Sequence, residues 1–182
     1  MRAQTVFKKA YIFDFDETLV RTDARIHVYK NGVHVREMDS RQFNTYKKTP
    51  GETLDFTDFE DGELILASKK YKGWKVLKNV SDAIKEERST SDIYILTARH
   101  EIVKSFIYEY LKQNGIEIEL DKIITIGDGT GKIDISEEKE KILKKLSHLY
   151  DVMYFFDDDP RNIAIAQKIH KIKTRLIEHE KA

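Results

Sequence analysis

Cysteine is absent from the 182 residues of this sequence, so disulfide bonds and thiolate metal sites are excluded. The sequence also lacks an uncharged run approaching the roughly 20 residues that a membrane-spanning helix needs. The apolar stretch that begins at Tyr11 is broken by Asp14, so no cleavable signal peptide is expected. Together these absences predict a cytoplasmic protein, in a reducing compartment, with no membrane partner.

Net charge is also absent. Lys plus Arg and Asp plus Glu number 32 each, so no global field favours nucleic acid or a membrane surface. Charged residues nevertheless make up 35% of the chain, above the about 25% typical of globular domains. Because apolar periodicity persists throughout, this excess indicates a solvated surface rather than disorder. The sequence gives no sign of an obligate protein partner.

The sequence does contain apolar runs that alternate with helical patterns. The runs predict buried parallel strands, and they lie at residues 10–13, 93–96, 152–156 and, more weakly, 122–126. Helical periodicity predicts helices at 80–87, at 101–113, after Ser136 as a cap, and at 162–170. This alternation is typical of an α/β fold, a doubly wound parallel sheet with helices on both faces.

Residues 21–79 interrupt the alternation. Residues 25–36 alternate in polarity around Asn31-Gly32, which predicts a hairpin with a type I′ turn. Asp39 or Ser40 then caps a predicted short helix that reaches Lys47. We therefore assign residues 1–20 and 80–182 to a catalytic core, and residues 21–79 to a flap and small cap over the functional edge of the sheet.

Polar residues follow the predicted strands at the point where each strand ends. Asp14 and Asp16 follow the first strand, Thr97 follows the second, and Asp157 and Asp158 follow the last. Because ligands bind beyond the carboxyl ends of strands in this fold, these side chains should meet in one crevice. Carboxylates placed so close together repel each other unless a cation lies among them, and Mg²⁺ prefers such oxygen ligands.

A lysine near such a cluster would suit a phosphoryl group, because it would offset the charge of the dianion. Three lysines precede the last strand, namely Lys132, Lys139 and Lys141. Lys139 is the best candidate because it shares a helical face with an apolar stripe. That predicted stripe consists of Ile142, Leu143, Leu146 and Leu149.

Four ordered motifs resemble those of the haloacid dehalogenase (HAD) superfamily. They are Phe13-Asp14-Phe15-Asp16-Glu17-Thr18-Leu19, Ile95-Leu96-Thr97-Ala98-Arg99, Lys139, and Phe155-Phe156-Asp157-Asp158-Asp159-Pro160-Arg161-Asn162. The resemblance spans about residues 10–165 and is closest to small Mg²⁺-dependent phosphatases. A weaker likeness links the chain to phosphatase domains of nucleic-acid end-repair enzymes. The carboxylate of Asp16 resembles the phosphatase branch, because the dehalogenase members lack it.

The resemblance implies a role for each matched residue. Asp14 would be the nucleophile and a Mg²⁺ ligand. Asp16 would donate and accept protons, and its backbone carbonyl would also bind Mg²⁺. Thr97, Ala98 and Lys139 would bind the phosphoryl group, and Lys139 would neutralise charge.

For the last motif, the resemblance implies that Asp158 is the preferred Mg²⁺ ligand. Asp157 would bind the ion directly or lie one shell further out, and Asp159 would be exposed. Arg99 is interpreted as a structural or rim residue rather than a catalyst.

Two further segments have plainer interpretations. Residues 127–132 (Gly-Asp-Gly-Thr-Gly-Lys) are one residue short of a Walker motif, and Ile133 replaces the required serine or threonine. We interpret them as a turn. Residues 69–75 mix basic and aromatic side chains that could stack on a base. The favoured interpretation is a solvated segment with Trp74 packed on the core.

The sequence thus predicts a Mg²⁺-dependent phosphatase that hydrolyses a phosphomonoester through a phospho-aspartate. The substrate would be a phosphorylated small molecule, a nucleotide or a nucleic-acid end. Two alternatives stay open: a non-catalytic module that binds a phosphorylated ligand, and an enzyme that transfers the phosphoryl group to a second substrate.

Overall fold

The structure, a computed structural model, describes residues 7–179 and has ten strands and six α-helices within that range. The strands are β1 (Lys9–Phe13), β2 (Val20–Arg21), β3 (Ile26–Lys30), β4 (Val33–Met38), β5 (Glu52–Asp55), β6 (Lys69–Lys70), β7 (Asp92–His100), β8 (Ile123–Gly127), β9 (Val152–Asp157) and β10 (Ile172–Leu176). The helices are α1 (Ser40–Thr45), α2 (Gly62–Leu66), α3 (Trp74–Lys85), α4 (Lys104–Gln113), α5 (Ile135–Ser147) and α6 (Pro160–Ala166). Short 3₁₀ turns cover Thr57–Glu60, Glu101–Val103 and Leu120–Lys122.

The central sheet has the strand order β10-β9-β1-β7-β8, and every neighbouring pair in it is parallel. The apolar run of β1 lies in the middle of the sheet, between β9 and β7. The predicted α/β fold with a parallel sheet is therefore confirmed. Because the strands run the same way, the carboxyl ends of β1, β7 and β9 meet at one edge.

Alternating residues of β1 pack on opposite faces of the sheet, as the period of a strand requires. Ala10 and Ile12 belong to one apolar cluster with residues of α5 and α6. Phe13 belongs to a second cluster with residues of α3 and α4. Trp74 packs in this second cluster, which confirms its interpretation as a core residue. Helices thus cover both faces of the sheet.

The predicted ends of helix α5 are wrong. Asp134, not Ser136, is its N-cap, and the Asp134 carboxylate accepts a hydrogen bond from the Glu137 N–H. The helix ends at Ser147, before the last member of the predicted apolar stripe. Leu149 consequently lies in the following turn with 60% of its surface exposed. Leu143 and Leu146 are buried as predicted.

Helix α6 begins earlier than predicted and ends at Ala166 rather than His170. Asp159 is its N-cap and Pro160 its first residue, a pairing in which the missing proline N–H costs nothing. The Asp159 carboxylate accepts hydrogen bonds from the backbone and side chain of Arg161. Asp159 is therefore buried, and the prediction that it is exposed is wrong.

A separate antiparallel sheet, β4-β3-β5, follows the first turn of the core. Asn31 and Gly32 have φ values of 50° and 82°, which confirms the predicted type I′ hairpin turn. Asp39 caps α1 in a capping box with Gln42, and α1 stops at Thr45, short of Lys47. This sheet has its own apolar cluster, built from Ile26, Val28, Met38, Phe43, Tyr46, Leu54, Phe56 and Phe59. We call residues 26–60 the flap.

None of the helices within residues 7–179 has the length and apolar character that crossing a bilayer requires.

We expect Leu143→Ala to lower the free energy of unfolding by about 2–5 kcal/mol, because it leaves a cavity between α5 and the sheet. Leu149→Ala is the matched control and should change it by less than about 0.5 kcal/mol, since Leu149 is exposed. Chemical denaturation measures both values. Equal losses in the two variants would contradict the position of α5.

Candidate functional site

The turn after β1 presents two carboxylates at the carboxyl edge of the sheet. The Asp14 N–H still continues the sheet by donating to Phe156 O at 2.9 Å. The chain then turns through Glu17, whose φ of 56° is uncommon for a residue with a side chain. This turn brings the Thr18 hydroxyl to 3.3 Å from Asp14 Oδ2, to which it donates. The local backbone thus orients Asp14.

Three carboxylates and one lysine meet at this edge. Asp14, Asp157 and Asp158 are buried, and each offers one oxygen within 4.8 Å of the others. Lys139 Nζ donates to Asp14 Oδ1 at 2.8 Å and to Asp157 Oδ2 at 2.7 Å. Lys139 is itself buried on the inner face of α5, where its spacing from the apolar stripe predicts it. The structure therefore brings together four of the predicted residues.

The electrostatics of this cluster disfavour the ionisation of all three carboxyl groups together. Burial raises the pKa of Asp14 well above its usual value, although the charge of Lys139 opposes the rise. Burial and the neighbouring Asp157 raise the pKa of Asp158 to about 8. Burial alone would lower the pKa of Lys139, but the charges of Asp14 and Asp157 raise it. Three carboxylates around one ammonium group form a site compatible with a divalent cation.

The two adjacent aspartates have different hydrogen-bond partners. Asp157 is saturated: besides Lys139, its oxygens accept from Asp159 N–H at 2.8 Å and from Asn162 Nδ2 at 3.0 and 3.1 Å. Ser136 fixes Asn162 in turn, by donating to Asn162 Oδ1 at 2.7 Å. Asp157 therefore has little capacity left for further ligands.

Asp158 has contacts on one oxygen. Asn44 Nδ2 donates to Asp158 Oδ2 at 3.3 Å, and His179 Nε2 lies 3.0 Å from the same atom. For the part of the chain that the structure describes, no hydrogen bond reaches Asp158 Oδ1. Asp158 is thus the carboxylate best able to accept a metal ion, and Asn44 connects it to the flap.

Asp16 lies in the same pocket, but its carboxylate is not part of the trio. Both of its oxygens accept hydrogen bonds from Arg99, at 2.7 and 2.9 Å. The Arg99 side chain has 0% of its surface exposed, so the alternative that placed it at the rim is wrong. These contacts agree with the other alternative, a structural role for Arg99.

Strand β7 continues to His100, beyond the predicted end at residue 96. Thr97 is buried, and its hydroxyl oxygen accepts a hydrogen bond from the Arg99 N–H at 3.2 Å. Ala98 is exposed and lines the pocket. A side chain at Gly127 would collide with the Ala98 carbonyl oxygen, so only glycine lets β8 approach β7 here.

The carboxylates open into a pocket of about 510 Å³ between the core and the flap. Phe43, Phe56 and Phe59 line it from the flap. The turn at residues 127–132 also contributes lining residues, namely Gly127, Asp128, Gly129, Gly131 and Lys132. Phe56 packs against Gly131 so closely that a Cβ atom there would overlap its ring. The flap therefore closes over the loop without a gap at this point.

Sequence reasoning missed several residues around the carboxylates. Thr18 and Asn162 lie inside the four motifs. Each carries a side chain that can donate a hydrogen bond to a neighbouring carboxylate, and this was the signal that could have identified them. Asn44 and His179 are distant in sequence from every motif, so no local pattern indicated their contacts with Asp158.

No family model and no curated protein matches this chain. Among solved structures, a chain of the Pnkp1/Rnl/Hen1 complex is similar, with a TM-score of 0.53 and 14% sequence identity. The likeness covers 98% of this chain and 49% of that chain, so this chain spans about half the length of the neighbour.

Two other solved structures are the HAD domain of effector protein Lem4 from Legionella pneumophila and its inactive mutant. The first has a TM-score of 0.46 and 18% identity, and it covers 93% of this chain and 86% of that chain. The second has a TM-score of 0.48 and 15% identity, with 93% and 85% covered. At such identities, the likeness to the chain of the Pnkp1/Rnl/Hen1 complex concerns the fold alone.

We expect Mg²⁺ to raise the melting temperature, and to raise it more at pH 8.5 than at pH 6. The pKa of Asp158, about 8, lies above its usual value. Stability from its protonated form is therefore complete below about pH 4 and lost as the pH rises through about 8, where a cation replaces the proton.

The isosteric variant Asp158→Asn tests this assignment in thermal melts with and without Mg²⁺. It should lose most of the Mg²⁺-induced increase, whereas Asp121→Asn, a control at an exposed carboxylate, should keep it. Equal increases in both variants would contradict a metal site at Asp158.

Proposed function

We propose that this protein is a Mg²⁺-dependent phosphatase that hydrolyses a phosphomonoester through an aspartyl-phosphate on Asp14. The observation that carries the proposal is the buried ammonium group of Lys139 between Asp14 and Asp157. An ammonium group beside a carboxylate nucleophile attracts a phosphate dianion and offsets the charge that gathers in the transition state. The adjoining pocket, which both Asp14 and Lys139 line, gives a substrate access.

The reaction has two steps with balanced proton transfers. An oxygen of the ionised Asp14 carboxylate attacks phosphorus and the bond to the leaving-group oxygen breaks. Asp16, which enters this step as the carboxylic acid, donates its proton to that oxygen. Water then attacks phosphorus, Asp16 takes one of its protons, and inorganic phosphate leaves with Asp14 restored. Thr18, which donates to Asp14 Oδ2, would keep the nucleophile oriented in both steps.

Asp14 and Asp158 would hold Mg²⁺, with the Asp16 backbone carbonyl as the further ligand implied by the sequence resemblance. Asp157, whose oxygens already accept from Lys139, Asp159 and Asn162, would lie one shell further out. Bound there, the ion would neutralise phosphoryl oxygens and position the ester for attack. Thr97 and Ala98 would bind the phosphoryl group. The Thr97 oxygen already accepts from Arg99 N–H, so its own hydrogen is available to donate.

The lining of the pocket favours a compact leaving group without negative charge. Three phenylalanines of the flap offer apolar surface, and Glu60, Asp128 and Asp134 add carboxylates around the same space. Among the cations that line the pocket, Arg99, Lys139 and Arg161 are each paired with an aspartate, which leaves Lys132 to oppose these carboxylates. A polyanion would be repelled, so we favour a phosphorylated small molecule over a nucleic-acid end.

A nucleic-acid end is the second candidate, on the basis of the weaker sequence resemblance. The basic and aromatic residues 69–75 would be its natural contacts, but they do not line this pocket in the part of the chain that the structure describes. Trp74 is buried, so it offers no free face to a base.

Asp14→Asn should reduce Mg²⁺-dependent phosphate release by on the order of 10³-fold or more, because the amide is not a nucleophile. Asp121→Asn is the matched control and should keep the wild-type rate. Phosphate release from a panel of monoesters measures both. Full activity in Asp14→Asn would refute the mechanism, and stabilisation of the wild type by phosphate without turnover would favour the binding module.

A comparison of a sugar phosphate, a mononucleotide and a 3′-phosphorylated oligonucleotide should give the highest kcat/KM for the sugar phosphate and the lowest for the oligonucleotide. Glu60→Gln should narrow that difference by removing one repulsive charge from the pocket. Glu63→Gln, on the neighbouring helix and outside the pocket lining, should leave it unchanged. A preference for the oligonucleotide would reverse the substrate assignment.

A further inference from the structure

Arg99 connects the Asp16 carboxylate to the flap. Its side chain is one of the largest that is fully buried within residues 7–179. A buried guanidinium group must have its hydrogen bonds satisfied, because an unpaired buried charge is strongly unfavourable. The partners of Arg99 therefore show what the fold uses this cation to hold.

Those partners come from two parts of the molecule. Nε and Nη2 donate to the two oxygens of Asp16 at 2.9 and 2.7 Å, a bidentate pair. Nη1 donates to the Phe59 carbonyl oxygen at 2.7 Å, and the guanidinium carbon lies 4.6 Å from the centre of the Phe59 ring. Nη2 also donates to the Thr22 hydroxyl at 3.3 Å. One planar group thus contacts the core turn and the flap together.

The shape of the guanidinium group makes this arrangement restrictive. Its donors lie in one rigid plane, so the Asp16 carboxylate and the Phe59 backbone are fixed relative to each other. Lysine, with one rotatable ammonium group, cannot reproduce that geometry. Phe59 lies in the Thr57–Glu60 turn and lines the pocket, as Asp16 does. A movement of this turn would therefore displace Asp16.

An ion pair of purely structural value is the simpler explanation, and the position of Asp16 argues against it. The Asp16 side chain keeps 16% of its surface exposed, on the pocket. Buried ion pairs add little net stability compared with apolar residues of similar size. A pair that leaves one carboxylate facing the substrate space is better explained by a need to orient that carboxylate.

We propose that Arg99 is a positioning residue, which holds Asp16 beside the leaving-group oxygen and makes that position depend on docking of the Thr57–Glu60 turn. The inference rests on the proposed phosphatase function. Arg99 transfers no proton itself. It fixes the carboxyl group whose proton passes to the leaving oxygen as the phosphorus–oxygen bond breaks.

A comparison of two substrates distinguishes a loss of Asp16 positioning from a general loss of structure. An alkyl phosphate needs a proton on its leaving oxygen, whereas p-nitrophenyl phosphate departs as a stable phenolate and needs little help. For Arg99→Lys and Arg99→Gln, we expect kcat on the alkyl phosphate to fall on the order of 10²-fold. On p-nitrophenyl phosphate it should fall less than about tenfold. Equal losses on both substrates would overturn the inference.

A second pair of variants tests the contact between Arg99 and the flap. Phe59→Ala should reproduce the selective loss on the alkyl phosphate, because it removes the ring packed on the Arg99 guanidinium. Phe43→Ala, which also removes a pocket-lining ring but does not touch Arg99, should affect both substrates alike. If the Arg99 variants fail to fold, this pair decides, and equal losses in Phe59→Ala would refute the coupling.

The activity of the wild type tests the phosphatase function separately from the role of Arg99. Turnover of both esters by the wild type supports the phosphatase function independently of Arg99. If the wild type turns over neither ester with Mg²⁺ present, the phosphatase function is rejected and the Arg99 inference with it.

Discussion

The ammonium group of Lys139 between the carboxylates of Asp14 and Asp157 is the interaction on which the site depends. It joins α5 to the ends of β1 and β9, across 125 and 18 residues of sequence, at 2.8 and 2.7 Å. Without Lys139, three carboxylates would be buried together with no cation among them, which is strongly unfavourable away from water. Buried ion pairs are poor sources of stability, so their presence here is better explained by chemistry than by folding.

The flap completes the site through contacts of different kinds. Asn44 hydrogen-bonds Asp158, Phe59 packs on Arg99, and Phe56 lies against Gly131. The first two contacts join the flap to groups that take part in, or orient, the proposed chemistry, and the third closes the flap over the turn at residues 127–132. The pocket lies between the core, where an apolar cluster covers each face of the sheet, and the flap, which has an apolar cluster of its own, so its volume depends on how core and flap dock.

The amount that could be predicted differs between kinds of residue. Asp14, Asp157 and Lys139 were found because strand ends and helical spacing are local properties, and each points to one face or one edge. Asp159 and Ser136 were misjudged although the Asp159-Pro160 pair is itself a local helix-start signal. Leu149 was misjudged because a periodic pattern does not reveal where the helix stops, and its backbone leaves the helix at Ser147.

By itself, the sequence determined the α/β class, the order of the strands along the chain and the chemical types gathered at their ends. Hydrophobic periodicity and turn residues act over a few positions, so they can be read locally. The tertiary structure alone decided which charges pair. Asp16 pairs with Arg99 across 83 residues, and Asn44 reaches Asp158 across 114. Electrostatic and hydrogen-bond energies depend on distances in space, and those exist only after the sheet and the flap have packed.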